Sequence, residues 1–345
     1  MGWNMPGRER TVAVFGASGH TGKFVVGELL RRGLEPIAIG RDRERLACSN
    51  FEGRGAVIRT ASIDDPPSLD RAFAGAAAVI NCAGPFLDTA DAVAAAALRA
   101  RAHYFDVTAE QGSALATFDR FGNAARKAGV VAVPAMSFFG GLGDLLATAA
   151  MRDWKTADAM GIGIALDSWH PTPGTRITGK RNTARRLVIV NGTLTPQTLP
   201  ASEATWDFPE PFGRQNVTEV PFSEVVLIAR HLRVLELHTY LNNTPLHDLR
   251  DAKTPPPVAA DKKGRSAQTF AVDVVIQKGG TTRRAHVLGR DIYAFSAVFV
   301  VEAAMRILDG KAEGRGAFAP GELFNARDFL RALVPEHLSF EIDSA

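Results

Sequence analysis

Three glycines at a fixed spacing, Gly16, Gly19 and Gly22, are the first residues of this chain whose pattern implies chemistry. They lie in VAVFGASGHTG, between an apolar run from Val12 to Phe15 and a segment, KFVVGELLRRG, whose apolar residues recur at helical spacing. A strand, a glycine turn and a helix in that order make the first half of a dinucleotide-binding βαβ unit. Gly16 permits the tight turn, Gly19 lets backbone approach a pyrophosphate, and Gly22 lets the helix lie close on the sheet. N–H groups at the start of that helix then face the phosphates, whose charge the helix dipole favours. Ser18, His20 and Thr21 put side-chain donors beside the same cradle.

The end of the second strand, EPIAIG, discriminates between cofactors. A site for NAD carries Asp or Glu about twenty residues beyond the glycines, to accept hydrogen bonds from the ribose 2′-hydroxyl. Here Gly40 and then Arg41 occupy that place, which predicts NADP(H) with Arg41 on the 2′-phosphate. Arg43 and Arg45 belong to the solvated start of the next helix. After the third strand, AVIRTASI, Asp64 stands where an adenine contact is common and where a helix cap is equally at home. The fourth strand, AAAVINCAG, runs into Asn81-Cys82-Ala83-Gly84-Pro85-Phe86. Ligands of open α/β sheets sit at the carboxyl ends of strands. Residues Cys82, Ala83, Gly84 and Pro85 therefore form a turn against the nicotinamide ribose, with Phe86 over the ring. Cys82 is expected there as a small packing residue and not a nucleophile, because nothing near it in sequence lowers its pKa.

Hydride transfer also needs a group that moves a proton at the substrate. The Tyr-x-x-x-Lys arrangement of short-chain dehydrogenases is absent, since none of Tyr104, Tyr240 and Tyr293 is followed by lysine four residues later. The remaining candidates are Glu110, past the fifth strand HYFDVTAE with Tyr104 and Asp106 on it, Asp144 at the head of LLATAAM, and Lys180 in SWHPTPGTRITGKRNT. Each has a plainer alternative: Glu110 as a first-turn helix carboxylate, Asp144 as a helix cap, Lys180 as a solvated base on an edge sheet. His170 is a second candidate relay, and Arg176 offers a two-point grip on a carboxylate.

These residues require a particular scaffold. Six short strands alternate with helices up to about residue 150, the pattern of a Rossmann-type, doubly wound parallel sheet. After residue 155, AMGIGIALDS, RRLVIVNGTLTP, EVVLIARHL and VLELHTYL read as strands without long helices between them, and AQTFAVDVVIQ with TTRRAHVLGRDIY reads as a hairpin through Lys278-Gly279-Gly280. The expected organisation is an NADP-binding α/β domain over 1–150, an α+β domain on a mostly antiparallel sheet over 151–293, and C-terminal helices over 294–345 that return to the first domain. A dinucleotide domain joined to such a sheet domain leaves a cleft for a small-molecule substrate. The apolar strands VVLIA and VLELH suggest a homodimer paired across a two-fold axis.

Composition narrows the class. A chain of 345 residues with 46% hydrophobic and 22% charged residues is enzyme-sized and globular. A net charge of +3 gives no ground for a nucleic-acid partner. Two distant cysteines, Cys48 and Cys82, support neither a disulfide framework nor a metal site, and fit a reducing, cytoplasmic setting. The longest apolar runs fall short of a membrane span.

VAVFGASGHTG, NCAGPF, AHYFDVTAE and VPAMSFFGGLGDLLA, in that order, resemble the saccharopine-dehydrogenase-like NADP-binding family, whose pattern is a GxxGxxG turn, a GPF or GPY turn, a DxTGE strand end and a GFDSxPxDL segment. That family groups saccharopine reductases with a trans-acting enoyl reductase branch. The resemblance covers the first 150 residues, with departures: Ala109 replaces the glycine of DxTGE, Phe139 stands where the family has Asp, and Leu142 where it has Pro. It implies an NADP(H)-dependent oxidoreductase moving hydride to or from a C=N or C=O group. Imine reduction needs little help, since a protonated C=N already accepts hydride and Glu110 or Asp106 could hold the charge. An enoyl C=C reductase acting on a lipid-like substrate is the alternative, and the loss of the family aspartate at Phe139 leaves a third, an NADP-binding sensor without turnover.

Overall fold

The computed structural model describes residues 10–343 and divides into two compact units. The first holds the described residues through 108 together with 112–137 and 296–318. Its strands are β1 (Thr11–Phe15), β2 (Glu35–Gly40), β3 (Val57–Thr60), β4 (Ala78–Asn81), β5 (His103–Asp106) and β6 (Val131–Val133). All pair in parallel, in the order β6-β5-β4-β1-β2-β3, and Gly316–Ala317 adds a seventh, two-residue strand beside β6. That last strand is too short to leave a pattern in sequence. A parallel sheet covered on both faces must bury every residue of its central strands, and Val12, Ala13 and Val14 are wholly inaccessible. The order reverses between β1 and β4, the switch point at which such sheets bind ligands.

The crossover helices are α1 (His20–Arg31), α2 (Arg43–Ala47), α3 (Pro66–Phe73), α4 (Phe86–Arg99) and α5 (Gln111–Ala128). Helix α1 turns Val25, Val26 and Leu29 to the sheet. Its buried Glu28 accepts from Arg31 at 2.7 Å and Arg32 at 2.6 Å, and Arg32 also reaches Glu302 at 2.5 Å. Two carboxylates and two guanidiniums thereby tie α1 to the segment that includes Glu302.

The second unit holds 109–111, 138–295 and the described residues from 319 onward. This differs from the boundaries at 150 and 294: 138–150 join the second unit, only 296–318 return to the first, and 319–343 do not. Helix α6 (Gly143–Met151) packs on the second sheet because its surface is apolar nearly all round. That sheet has nine strands: β7 (Thr156–Leu166), β8 (Leu187–Val190), β9 (Thr193–Pro196), β10 (Glu203–Asp207), β11 (Arg214–Glu219), β12 (Arg233–Asn242), β13 (Thr269–Lys278), β14 (Thr281–Arg290) and Leu338–Ile342. Pairing is antiparallel except between β12 and β7, so the sheet is mixed. The β13–β14 hairpin turns at Gly279 and Gly280, both at positive φ as a two-residue turn of this kind demands.

Two segments differ from expectation. EVVLIARHL forms no strand: it carries helix α8 (Ser223–Ile228), buried on every side, and a short apolar run of that kind has no periodicity to separate helix from strand. SWHPTPGTRITGKRNT is likewise not on the sheet. Thr172 caps helix α7 (Pro173–Arg181) by accepting from Thr175 N at 3.1 Å, and Pro173 takes the first turn, where its missing N–H is harmless. The dimer expectation loses its basis with these corrections. VVLIA is an internal helix, and VLELH lies in β12 with β7 on one side and β8 on the other, so neither offers a sheet edge to a second copy. Helices α9 (Asn243–Arg250), α10 (Ile292–Leu308), α11 (Pro320–Leu323) and α12 (Ala326–Arg331) complete the chain. Among the described residues no helix is long and apolar enough to cross a membrane.

Candidate functional site

The glycine turn is fixed by backbone bonds and by want of space. Gly16 N and Ala17 N both donate to Ile39 O, at 2.9 and 3.0 Å, which ties the end of β1 to β2. At Gly16, φ is +81°, and a Cβ there would lie 2.9 Å from both N and Cβ of Ala83. A Cβ on Gly22 would collide with Gly16 O and with the Ala17 backbone. Only glycine meets both conditions. Gly19 is the N-cap of α1 and supplies no side-chain acceptor, so no capping group occupies the first N–H groups of the helix. An uncapped helix start behind a turn from which side chains are excluded is a cradle shaped for phosphate oxygens. Ser18 and Thr21 are half-buried beside it, and the His20 ring stands edge-on to Phe24 at 5.3 Å.

At the tip of β2, Arg41 is exposed and makes no ion pair among the described residues, while its neighbour Asp42 accepts from Arg45 N at 3.1 Å and caps α2. Asp64 is not a helix cap. Asp65 takes that role toward Ser68 N, and the Asp64 carboxylate stays exposed, accepting from Ser62 Oγ.

The turn after β4 is braced by two residues that sequence reading did not single out. Asn81, wholly buried, accepts from Ala83 N at 3.0 Å and donates to Thr89 Oγ1 at 3.2 Å, and Thr89 donates to Ala83 O at 2.6 Å. This closed ring of bonds holds Cys82, Ala83, Gly84 and Pro85 rigid at the carboxyl end of the sheet, with Phe86 opening α4. Burial and the Asp106 charge push the Cys82 thiol far above its usual range, which makes a thiolate nucleophile there untenable.

Asp106 itself is a brace. Its Oδ1 accepts from Ala135 N at 2.8 Å and Thr108 N at 3.0 Å, and its Oδ2 from Tyr104 OH at 2.9 Å. Burial raises its pKa to about 6 against the hydrogen bonds that lower it. A fully buried carboxyl with both oxygens so engaged is not placed to hold a substrate charge.

In the second unit the expected catalytic groups are dispersed. Asp144 is wholly buried, its Oδ1 2.7 Å from His231 Nε2 and its Oδ2 accepting from Gly321 N at 2.7 Å. It caps nothing in α6 and presents no oxygen to a ligand; it clamps α6 to α11 and to the turn after α8. Lys180 stands exposed in the last turn of α7, where the negative helix end accounts for it. Arg176 donates to the carbonyls of Leu249, Asp251 and Thr254, so it is not available for a carboxylate. His170 meets Pro255 O at 3.2 Å. Glu110 is buried at the start of α5, next to Gln111, whose side chain bridges Leu187 N, Leu187 O and Phe222 O.

Beside that bridge lies a cluster with a different character. Trp169 stacks on Phe139 at 4.8 Å, Phe139 meets Phe222 at 4.2 Å, and the Arg186 guanidinium lies over the Phe222 ring, 4.8 Å from its centre. Phe139, in the place of the family aspartate, is thus a packing residue. Arg186 makes one hydrogen bond, to Pro221 O at 2.6 Å, and no ion pair among the described residues. Burial lowers its pKa, and the nearby Glu224 charge opposes this. Glu224 is almost wholly buried; its Oε1 accepts from Phe222 N at 2.9 Å and its Oε2 has no hydrogen-bond partner. Burial raises its pKa. Neither residue was legible beforehand, since Glu224 heads a run read as a strand and Arg186 is one of many basic residues. Among the described residues no three His, Cys, Asp or Glu side chains are grouped to hold a metal ion.

Comparison with known proteins agrees with this geometry. Residues 12–133 match the family model described as the saccharopine dehydrogenase NADP binding domain. A probable mitochondrial saccharopine dehydrogenase-like oxidoreductase of Arabidopsis thaliana is 31% identical over 114 residues, 29% of this chain and 25% of that one, so the match spans a quarter of the relative's length. Apo saccharopine dehydrogenase (L-Glu forming) from Saccharomyces cerevisiae superposes with a TM-score of 0.66 at 12% identity, over 97% of this chain and all of that one, a likeness of fold.

Proposed function

We propose, from the premise that residues 12–133 of this chain belong to the saccharopine dehydrogenase NADP-binding domain family, that the protein is an oxidoreductase reducing or forming a C=N or C=O bond in a small molecule. The cofactor of that domain is NADP(H), which supplies or accepts the hydride. The observation that carries the reading is the uncapped start of α1 behind a turn in which a Cβ at Gly16 or Gly22 would strike backbone. There the chain's own N–H groups bind phosphate, the Asn81–Thr89 ring fixes the turn that receives the nicotinamide ribose, and Arg41 stands free for a 2′-phosphate. The roles of Ser18, His20, Thr21 and Asp64 in that site belong to the same proposal.

For the substrate half, Asp144 and Lys180 drop out because one is enclosed and the other solvated. Glu110 remains the carboxylate candidate. Arg186 takes the place intended for Arg176, since a half-buried guanidinium held by one carbonyl and an aromatic face can still grip a carboxylate. That favours a substrate bearing an acid group, and so C=N or C=O chemistry, over an apolar enoyl chain.

NADPH oxidation measured with a panel of keto acids, each with and without amines, tests this. Turnover that falls in Arg186→Ala through a raised KM is expected. Silence across the panel with activity on enoyl esters would establish the C=C alternative, and tight NADPH binding without turnover on either class would establish the sensor.

A further inference from the structure

At the C-terminal end of α6 the second unit has a cavity of about 340 Å³ lined by Arg152, Arg327, Arg331, Val334, Phe340 and Ile342. Three of its six lining residues are arginines and none is acidic. No ion pair engages any of the three arginines among the described residues, whereas Arg32, Arg284 and Arg306 elsewhere in the chain are each held by carboxylates. Arg327 shares two long contacts, 3.3 and 3.4 Å, with Ala149 O, and Arg152 gives one Nη to Asp343 O. The exposed Arg331 side chain has no hydrogen bond among the described residues.

Two features of Arg152 go beyond helix-end capping. Its Nε is buried and has no hydrogen-bond partner, and a guanidinium N–H removed from water without an acceptor is unfavourable unless something else completes it. Its backbone sits at φ +53°, ψ −115°, a region that L residues with side chains avoid. Strain of that kind persists where the surrounding structure holds a side chain in a set place, often a ligand clamp.

We propose that this cavity is a binding site for a phosphate monoester carrying a compact apolar group. The guanidinium donors not given to Ala149 O and Asp343 O match phosphate oxygens, and the phosphate's charge of about −1.5 to −2 at neutral pH offsets more of the triple positive charge than a carboxylate does. Val334, 40% exposed, with Phe340 and Ile342 gives the apolar group its contact surface.

Phenyl phosphate is the probe, titrated calorimetrically into the full chain saturated with NADPH so that the dinucleotide cradle cannot take it up. It should bind saturably, about tenfold tighter than either inorganic phosphate or benzoate. Arg331→Ala and Arg152→Gly should each weaken it by about tenfold or more while leaving NADPH affinity unchanged. Arg152→Gly relieves the positive φ as it removes the guanidinium, so loss of binding in that variant is not loss of fold. Absence of saturable binding, undiminished affinity in both variants, or benzoate binding as tightly as phenyl phosphate would each overturn the assignment.

Discussion

A buried and a half-buried side chain of the first unit, Asp106 and His103, set opposite pH dependences at the scale of single residues. Asp106 is raised from 3.8 to about 6 by burial, so between those values the folded chain holds a proton that the unfolded chain has released. Its contribution makes stability fall as pH rises. His103 is lowered by burial from 6.5 to about 4, its Nδ1 accepting from Val131 N at 3.1 Å, so there the unfolded chain holds the extra proton and stability rises with pH. From about pH 4 to 6 the two offset one another. Asp106→Asn keeps an acceptor for both backbone N–H groups and removes the titration. Its stability should climb with pH by roughly 1.4 kcal/mol per unit more steeply than the parent's, read from urea midpoints across that range. A slope equal to the parent's would mean that Asp106 is ionised throughout. Arg41 is the second residue-scale case: Arg41→Ala should weaken NADPH about tenfold and leave NADH unchanged, and equal losses for both would remove Arg41 from the 2′-phosphate.

At the scale of elements, the fit of α1 on β1 depends on one missing methyl group. In Gly22→Ala the new Cβ meets the backbone of Gly16 and Ala17, which cannot yield as a side chain can. The helix must shift, destabilising the protein by about 1–3 kcal/mol and moving its N–H groups out of register with the phosphates. Thermal melts and NADPH fluorescence should show both losses together; a variant that melts early yet binds normally would contradict the cradle. The clamp of α6, α11 and the turn after α8 is electrostatic instead. Burial alone would lower the pKa of His231, but the charge and hydrogen bond of Asp144 outweigh it and the pKa is raised. The stability this pair contributes is therefore complete below the ordinary histidine range near pH 6.5 and is lost as pH rises through the folded value. His231→Gln keeps a donor without charge. It should melt earlier than the parent at about pH 6 and converge on it at about pH 9, and a constant gap would show that the histidine is neutral in the fold.

At the scale of the whole molecule, the chain combines a parallel unit that carries the nucleotide cradle with a mixed-sheet unit that carries the Arg186 and Arg152 clusters. Binding to the folded form alone must raise its stability by mass action. NADPH at about one hundred times its dissociation constant should add roughly 2.7 kcal/mol, and NADH at the same concentration much less. Equal stabilisation by the two would count against the phosphate-selective reading of the cradle.

Local chemistry made the first unit readable. Strand, glycine turn and helix succeed one another within eleven residues, and the steric demand at Gly16 and Gly22 comes from backbone a few positions away or from the neighbouring strand turn, so that spacing, with the strand–helix alternation after it and Arg41 at the second strand end, carried the fold and the cofactor. The second unit was decided by packing. EVVLIARHL has no period to betray a helix, Asp144 looks free until His231 and Gly321 are brought to it, and Arg176 and Arg186 differ only in which carbonyls the tertiary structure supplies to each. A sequence states which side chains could do chemistry; whether a charge is paired, buried or left open depends on residues far along the chain, and only the folded sheet and helices bring those together.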